Sequence, residues 1–167
     1  MRVLDLSSGF RNAMRRLAMT VSIVTCADKE GWHGMTATAV TSVCTAPPAL
    51  LVCVNRATAF HGRLSAAGIF CINLLGSQHA QISQAFAGDV KGAERFEKGN
   101  WTLSRRLPYL VDAQASLFCR TETVTNFGTH DVFIGRVEEV RLARDSTPLV
   151  YQEGQYVTTT QLIGAWR

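Results

Sequence analysis

The sequence predicts a mainly β protein, a β-barrel carrying short helices, on three observations. Strand-length apolar runs recur along the chain, and the helical stretches between them are too short for a doubly wound sheet. The glycines form neither G-x-G-x-x-G nor G-x-x-x-x-G-K-S/T, which excludes Rossmann and P-loop phosphate chemistry. The 47% apolar and 18% charged fractions are those of a globular chain, and 167 residues are enough for one domain spanning 1–167.

In chain order, Ser7-Ser8 offer an N-cap, and Phe10, Met14 and Leu17 recur at helical spacing, predicting an amphipathic first helix. Arg15-Arg16 ahead of LAMTVSIVTCA imitates a signal peptide. Thr20, Ser22 and Thr25 interrupt that run with a period near two, so a strand over 20–26 is the better account. Asp28-Lys29-Glu30-Gly31 is a polar turn. Beyond the central stretch, Thr58 caps a short helix with Phe60 and Leu64 on one face, Gly68 punctuates, and 69–75 is a strand. Ser77 is expected to cap a helix that packs Ile82 and Phe86 inward and ends at Gly88, with a helical turn over 91–96. Strands over 113–124, 132–142 and 149–152 follow, the last entering a hairpin near Gly154.

The central stretch, GMTATAVTSVCTAPPALLVCVN, holds two apolar runs joined by Thr45-Ala46-Pro47-Pro48. In the first, Thr36, Thr38 and Ser42 share one parity, while Met35, Ala37, Ala39 and Val43 share the other. On one strand this aligns hydroxyls on one side, a donor row suited to phosphate oxygens. Thr and Ser are equally ordinary strand residues. The second run, 49–54, is continuously apolar, as expected of a strand buried on both faces, and the prolines fit the crossover.

Net charge is +4. The densest positives, Arg11, Arg15, Arg16, Arg105 and Arg106, show no aromatic interleaving of the nucleic-acid kind. They are either a scattered solvated surface or a patch attracting an anionic dinucleotide. The five cysteines form no C-x-x-C and lie in or beside apolar runs, which predicts reduced thiols in a cytoplasmic protein without a zinc site. No run approaches the length of a membrane span.

Chemistry-bearing residues are few. Asn126-Phe127-Gly128-Thr129-His130-Asp131 marks a tight turn with His130 opening the next strand. A lone histidine there is ordinarily a turn residue. Asn55 and Thr58 flank a strand-to-helix turn whose free amides favour an anion, and Arg95 offers a planar cationic fork.

GMTATAVTSVCTAPPALLVCVNRAT resembles the cofactor-binding segment of the flavin reductase-like family, whose members adopt an FMN-binding split barrel. Further elements stand in the family's order: Asn73-Leu74-Leu75, Ser83 with Phe86, Arg95-Phe96, and Pro148-Leu149-Val150-Tyr151 with Gly154 and Tyr156. The turn at His130 looks like the family's G-D-H segment, with Thr129 in place of the acid and Asp131 after the histidine, similar to the subgroup serving pyrimidine-ring oxidation.

The resemblance implies an NAD(P)H-dependent reductase of FMN or FAD, with NADH or NADPH as donor. Flavin contacts would come from Met35, Thr36, Ala37, Thr38, Ala39, Ser42, Val43 and Cys44, then from Asn55, Arg56 and Thr58. Asn73, Ser83, Phe86, Arg95 and Phe96 would border the flavin. Tyr151, Gly154 and Tyr156 would lie near the nicotinamide, with His130 as the catalytic candidate. The absence of a nucleophile–base–acid constellation agrees, because the cofactors carry hydride transfer. A homodimer and a partner monooxygenase receiving reduced flavin are also implied. A non-catalytic cofactor-binding barrel, or a reductase of another acceptor such as a corrinoid, remains open.

Overall fold

Two-residue links and tight turns between strands leave the chain little choice but an antiparallel sheet. The computed structural model describes residues 5–90, 92–145 and 147–161. Helix α1, Leu6–Arg15, is capped by Asp5, whose carboxylate accepts from the Ser8 amide at 3.1 Å. The cap is therefore not Ser7-Ser8: the acid three residues before the Ser8 amide takes the role. No residue of α1 is buried, and Phe10 on its apolar stripe is 62% exposed.

Strands β1 (Met19–Thr20), β2 (Ser22–Asp28), β3 (Gly31–Ala37), β4 (Val40–Thr45) and β5 (Pro48–Asn55) follow. Helix α2, Ala59–Ala67, is capped by Thr58 and closed by Gly68 at φ 67°, and it buries Phe60 and Leu64 as expected. Next come β6 (Ile69–Leu74), a 3₁₀ turn (Ser77–His79), α3 (Ala80–Gln84), a wider turn over Ala85–Asp89 and a second 3₁₀ segment, Gly92–Glu97. The turn at 77 is held by the His79 ring, which accepts from the Gly76 amide, rather than by Ser77. The helical turn expected over 91–96 is met from residue 92; Lys91 lies outside the described residues.

Strands β7 (Trp101–Ser104) and β8 (Leu107–Leu110) form a hairpin that the sequence did not suggest. Arg105 and Arg106 take its turn with φ of 50° and 68°, the left-handed backbone such a two-residue hairpin requires. The long strands β9 (Ala115–Phe127) and β10 (His130–Leu142) and the small hairpin β11 (Val150–Gln152) and β12 (Gln155–Val157) complete the chain. Of the basic residues, Arg105 pairs with Glu139 at 2.7 Å and Arg120 with Glu138 at 2.7 Å, so this cluster is neutralised locally.

The main sheet runs β3-β2-β6-β9-β10-β5-β4, antiparallel throughout. Its two edges, β3 and β4, are consecutive in the chain and separated only by Thr38 and Ala39. Edges so linked can coexist only if the sheet rolls until they meet, which gives an open barrel without a closing ladder. The Ala39 carbonyl accepts from Cys53 at 3.1 Å and carries β4·β5 pairing up to that seam.

Strand β2 divides two cores. Val24 and Cys26 face the barrel interior with Val52, Val54, Phe70, Ile72 and Phe133, and α2 plugs its end with Phe60 and Leu64. Val21 and Ile23 face a second layer of Leu75, Ile82, Phe86, Leu110 and Leu149. It is β2 rather than β5 that is buried on both sides. In β5, Leu50, Val52 and Val54 are buried, but Leu51 and Cys53 are half-exposed, because no element of the described chain covers that outer face. Buried Cys26 and Cys119 have thiols pushed up to about 12 by loss of solvent, and Cys71 is raised likewise; Cys44 is exposed. No helix among the described residues is long and apolar enough to cross a membrane.

One buried carboxamide ties these layers. Asn73 donates to the Ile23 carbonyl (3.1 Å) and accepts from the Leu110 amide (2.9 Å) and the Ser116 hydroxyl (3.2 Å), linking β2, β6, β8 and β9. With no exposed surface it holds the fold together, and this corrects its expected place beside a flavin. Asn73→Ala strips the Leu110 amide of its partner and is expected to cost about 2 kcal/mol in a urea melt. A loss within experimental error would show that the four strands do not need it.

Candidate functional site

The site is built on two turns that face each other. Asn55 ends β5, and its side-chain oxygen accepts from the Ala57 amide at 2.9 Å, curling the chain into α2. Thr58 donates its hydroxyl to the Asn55 carbonyl (2.8 Å) and accepts from the His61 amide (3.3 Å), capping the helix. Opposite lies the β9–β10 turn, where Gly128 takes φ 58°. His130 opens β10 on the same rung as Asn55 on one side and Phe127 on the other. Residues directly opposed in antiparallel strands share a face, so these three project together. Arg56 locks the turns, its amide donating to the Thr129 carbonyl at 3.0 Å and its guanidinium to the Gly128 carbonyl. His130 is exposed, with Nδ1 2.9 Å from the Thr129 hydroxyl.

Asp131 points to the opposite face. It accepts from Asn126 (2.9 Å) and pairs with His61 Nε2 (2.7 Å), and these bonds, Asn126's foremost, hold its carboxyl below the usual range.

A second group surrounds β3. The Thr36 hydroxyl donates to the Ser83 carbonyl (2.6 Å), and the Ser83 hydroxyl lies 2.8 Å from that of Tyr156. Tyr156 meets Tyr151 edge-on at 5.5 Å, with Gly154 at φ 83° between them. Phe86 is buried and contacts Phe96 (4.9 Å) and Trp101 (5.2 Å). Gly34 is needed here, since a Cβ would stand 2.8 Å from Phe86. Arg95 donates to the carbonyls of Gly34 (2.7 Å) and Val90 (3.0 Å), while its Nε is buried without a partner. Desolvation lowers its pKa, and no carboxylate among the described residues pairs with it.

A cleft of about 350 Å³ joins Arg95 to the start of α2, lined by Trp32, His33, Gly34, Ala59, Phe60 and Arg63. Arg63 is already neutralised by Asp28 (3.1 Å) and Glu30 (2.6 Å), and Asp28 also holds His33 (2.9 Å). The cleft thus offers one uncompensated guanidinium, aromatic walls and a capped helix start. That donor set fits a planar ring bearing an anionic group.

The hydroxyl row does not survive as one row. The chain turns at Thr38-Ala39 between β3 and β4, and a bulge between Ser42 and Cys44 shifts the alternation again. Ser42 and Cys44 line a separate apolar hollow of about 470 Å³ with Leu50, Ile72, Leu117 and Val137. Val43 is exposed, Met35 and Thr38 half-buried, Ala37 buried and Ala39 exposed.

Residues 14–160 match the model of the flavin reductase-like domain. The chain belongs to that family. Its relatives include the reductase component of an FADH2-dependent resorcinol hydroxylase from Rhizobium sp. MTP-10005, 41% identical over 88% of this chain and 84% of that protein. An NADH-dependent FMN reductase of Methylorubrum extorquens, RutF 1, is 40% identical over 91% of this chain and 76% of that protein. Among solved structures, the flavin reductase of styrene monooxygenase from Pseudomonas putida S12 superposes with a TM-score of 0.84 at 26% identity, covering 93% of this chain and 99% of that one.

Within this flavin reductase-like chain the geometry also brings forward residues that the sequence left unmarked. Trp32 and Arg63 line the cleft, Trp101 packs on Phe86 and Phe96, and His61 reaches across 70 positions to Asp131. A tryptophan just before the hydroxyl-rich segment was the one available signal; the His61 contact has none in the sequence.

Asp28 makes the cleft wall sensitive to acid. Its hydrogen bond from His33, joined by those from the Glu30 amide and Arg63, pushes its carboxyl down to about 2. A folded value below the unfolded one means that its stabilisation is complete above about pH 4 and lost as pH falls towards 2. Asp28→Asn should therefore flatten the acid side of the stability curve between those values, read by thermal melts. An unchanged slope would show the pair to be idle.

Proposed function

We propose that this chain is an NADH-dependent flavin reductase supplying reduced flavin to a partner monooxygenase. The observation that carries this reading is the shared rung of Asn55 and His130, which sets a capped helix start beside a histidine-bearing turn in a chain of this family. When bound, flavin accepts hydride at N5 from nicotinamide C4, and the protein contributes placement. Thr58 and the first amides of α2 hold the flavin phosphate, and Arg95 takes a second anionic or carbonyl oxygen with its unpaired Nε. Ser83 joins β3 to the β11–β12 hairpin, its carbonyl accepting from the Thr36 hydroxyl and its own hydroxyl meeting that of Tyr156, which braces the strand that carries Gly34. His130 orients the nicotinamide and supports its charge; hydride transfer asks no proton of it.

The relatives' names support NADH as donor and a two-component partner. We read residues 1–167 as one domain, cytoplasmic by its five unpaired thiols, and dimeric. The uncovered outer face of β5, with Leu51 and Cys53 half-exposed and Phe127 84% exposed nearby, supports a second copy covering the His130 face. Light scattering at micromolar concentration should give twice the chain mass; a monomer with full activity would contradict this.

His130→Ala should slow reduction of pre-bound flavin by NADH roughly ten- to a hundredfold, about 1.4–2.8 kcal/mol of transition-state stabilisation, with flavin affinity nearly unchanged. Arg95→Gln should instead weaken flavin binding by roughly tenfold or more, the worth of one charge-assisted hydrogen bond. Anaerobic stopped-flow absorbance and flavin titration separate the two. Flavin that binds but is never bleached by NADH would leave a cofactor-binding barrel without reductase activity.

A further inference from the structure

Behind the rung that carries Asn55 and His130 stands a second layer of polar side chains. His61, in the first turn of α2, meets Asp131 at 2.7 Å, with side chains only 18% and 15% exposed. Asp131 in turn accepts from Asn126 on β9, so three elements are joined by three side chains. The His61 ring is fixed from a third side by an edge contact to buried Phe133 at 5.7 Å. Its own amide donates to Thr58, the cap residue. His61 therefore touches both turns: the helix cap through its backbone, and the residue after His130 through its ring. The charged group facing this pair is Arg56 on the β5–α2 turn.

We propose that His61 is a positioning residue, which sets the place of His130 relative to the Asn55–Thr58 turn by way of Asp131. This rests on the reading of His130 as the nicotinamide-side group. Adjacent residues on a strand point to opposite faces, so anchoring Asp131 from behind fixes the direction in which His130 emerges in front. Without the anchor, the β9–β10 turn keeps Arg56, the Asn126 bonds and the ladder, but Asp131 loses its side-chain tie to α2. A loss of about one ångström in placement is enough to slow a transfer between two rings manyfold.

Three variants test this: His61→Ala, His61→Gln, whose amide still donates to Asp131, and His61→Ala combined with His130→Ala. In His61→Ala, hydrogen exchange at the amides of Arg56 and residues 129–131 should quicken while the β2 and β6 amides stay protected. The KM for NADH should rise about tenfold with a smaller fall in kcat, and His61→Gln should restore both. The double variant should be little worse than His130→Ala alone, since both act through one group. Wild-type exchange at the turn in His61→Ala would overturn the anchoring, and fully additive kinetic losses would overturn the route through His130. If His130→Ala alone reduces flavin at the wild-type rate, the parent reading falls and this one with it; a defective His130→Ala beside an additive double variant removes only the part given to His61.

Discussion

Two residues, Thr38 and Ala39, decide the shape of this protein. They join the two edge strands of a seven-stranded antiparallel sheet, so the sheet has to curl until those edges lie a short link apart. A longer connection would permit an open, gently twisted sheet; a closing ladder would seal a barrel. The actual link does neither, and leaves a seam. Residues of β3 fall on one side of it, towards the helical layer, and those of β4 on the other, towards the apolar hollow. The cleft wall is the product of that division, since Gly34 and Thr36 are held against Phe86 and Ser83 only because β3 ends where it does.

Charge is distributed by the same economy of position. Arg63, Arg105 and Arg120 each meet a carboxylate within 3.1 Å, and such pairs at a surface contribute little to stability. Arg95 differs because its neighbours are carbonyls and aromatic rings. A desolvated cation without an anion is unfavourable in the isolated chain. That cost is relieved when an anionic group enters, which makes the same residue a weak point of the empty fold and a strong point of a filled one.

Much of the architecture was legible. Thr58 and Gly68 bracket α2 because a hydroxyl cap and a left-handed glycine have local causes, and the long strands near 115–142 show themselves by length and β-branched content. What escaped had no local cause. The β7–β8 hairpin turns on two arginines and carries Pro108 in its second strand, so neither turn nor strand chemistry announces it. The break at Thr38-Ala39 uses residues that are ordinary in strands, which is why a single hydroxyl row seemed available. Asn73 was placed beside the cofactor on resemblance, whereas its partners come from strands remote in sequence and show only in three dimensions. The Asn55–His130 rung is a matter of register, and register belongs to the assembled sheet.

The burial of the thiols bears on durability. Reduced flavin that meets dioxygen yields peroxide, and the thiolate is the form of cysteine that peroxide attacks. With Cys26 and Cys119 pushed up to about 12 by burial, both stay as thiols at neutral pH. The interior of the barrel is thereby shielded from the by-product of its own chemistry. Oxidative wear is left to exposed Cys44 on the edge strand β4 and half-exposed Cys53 on β5, where a modified sulfur lies outside both cores.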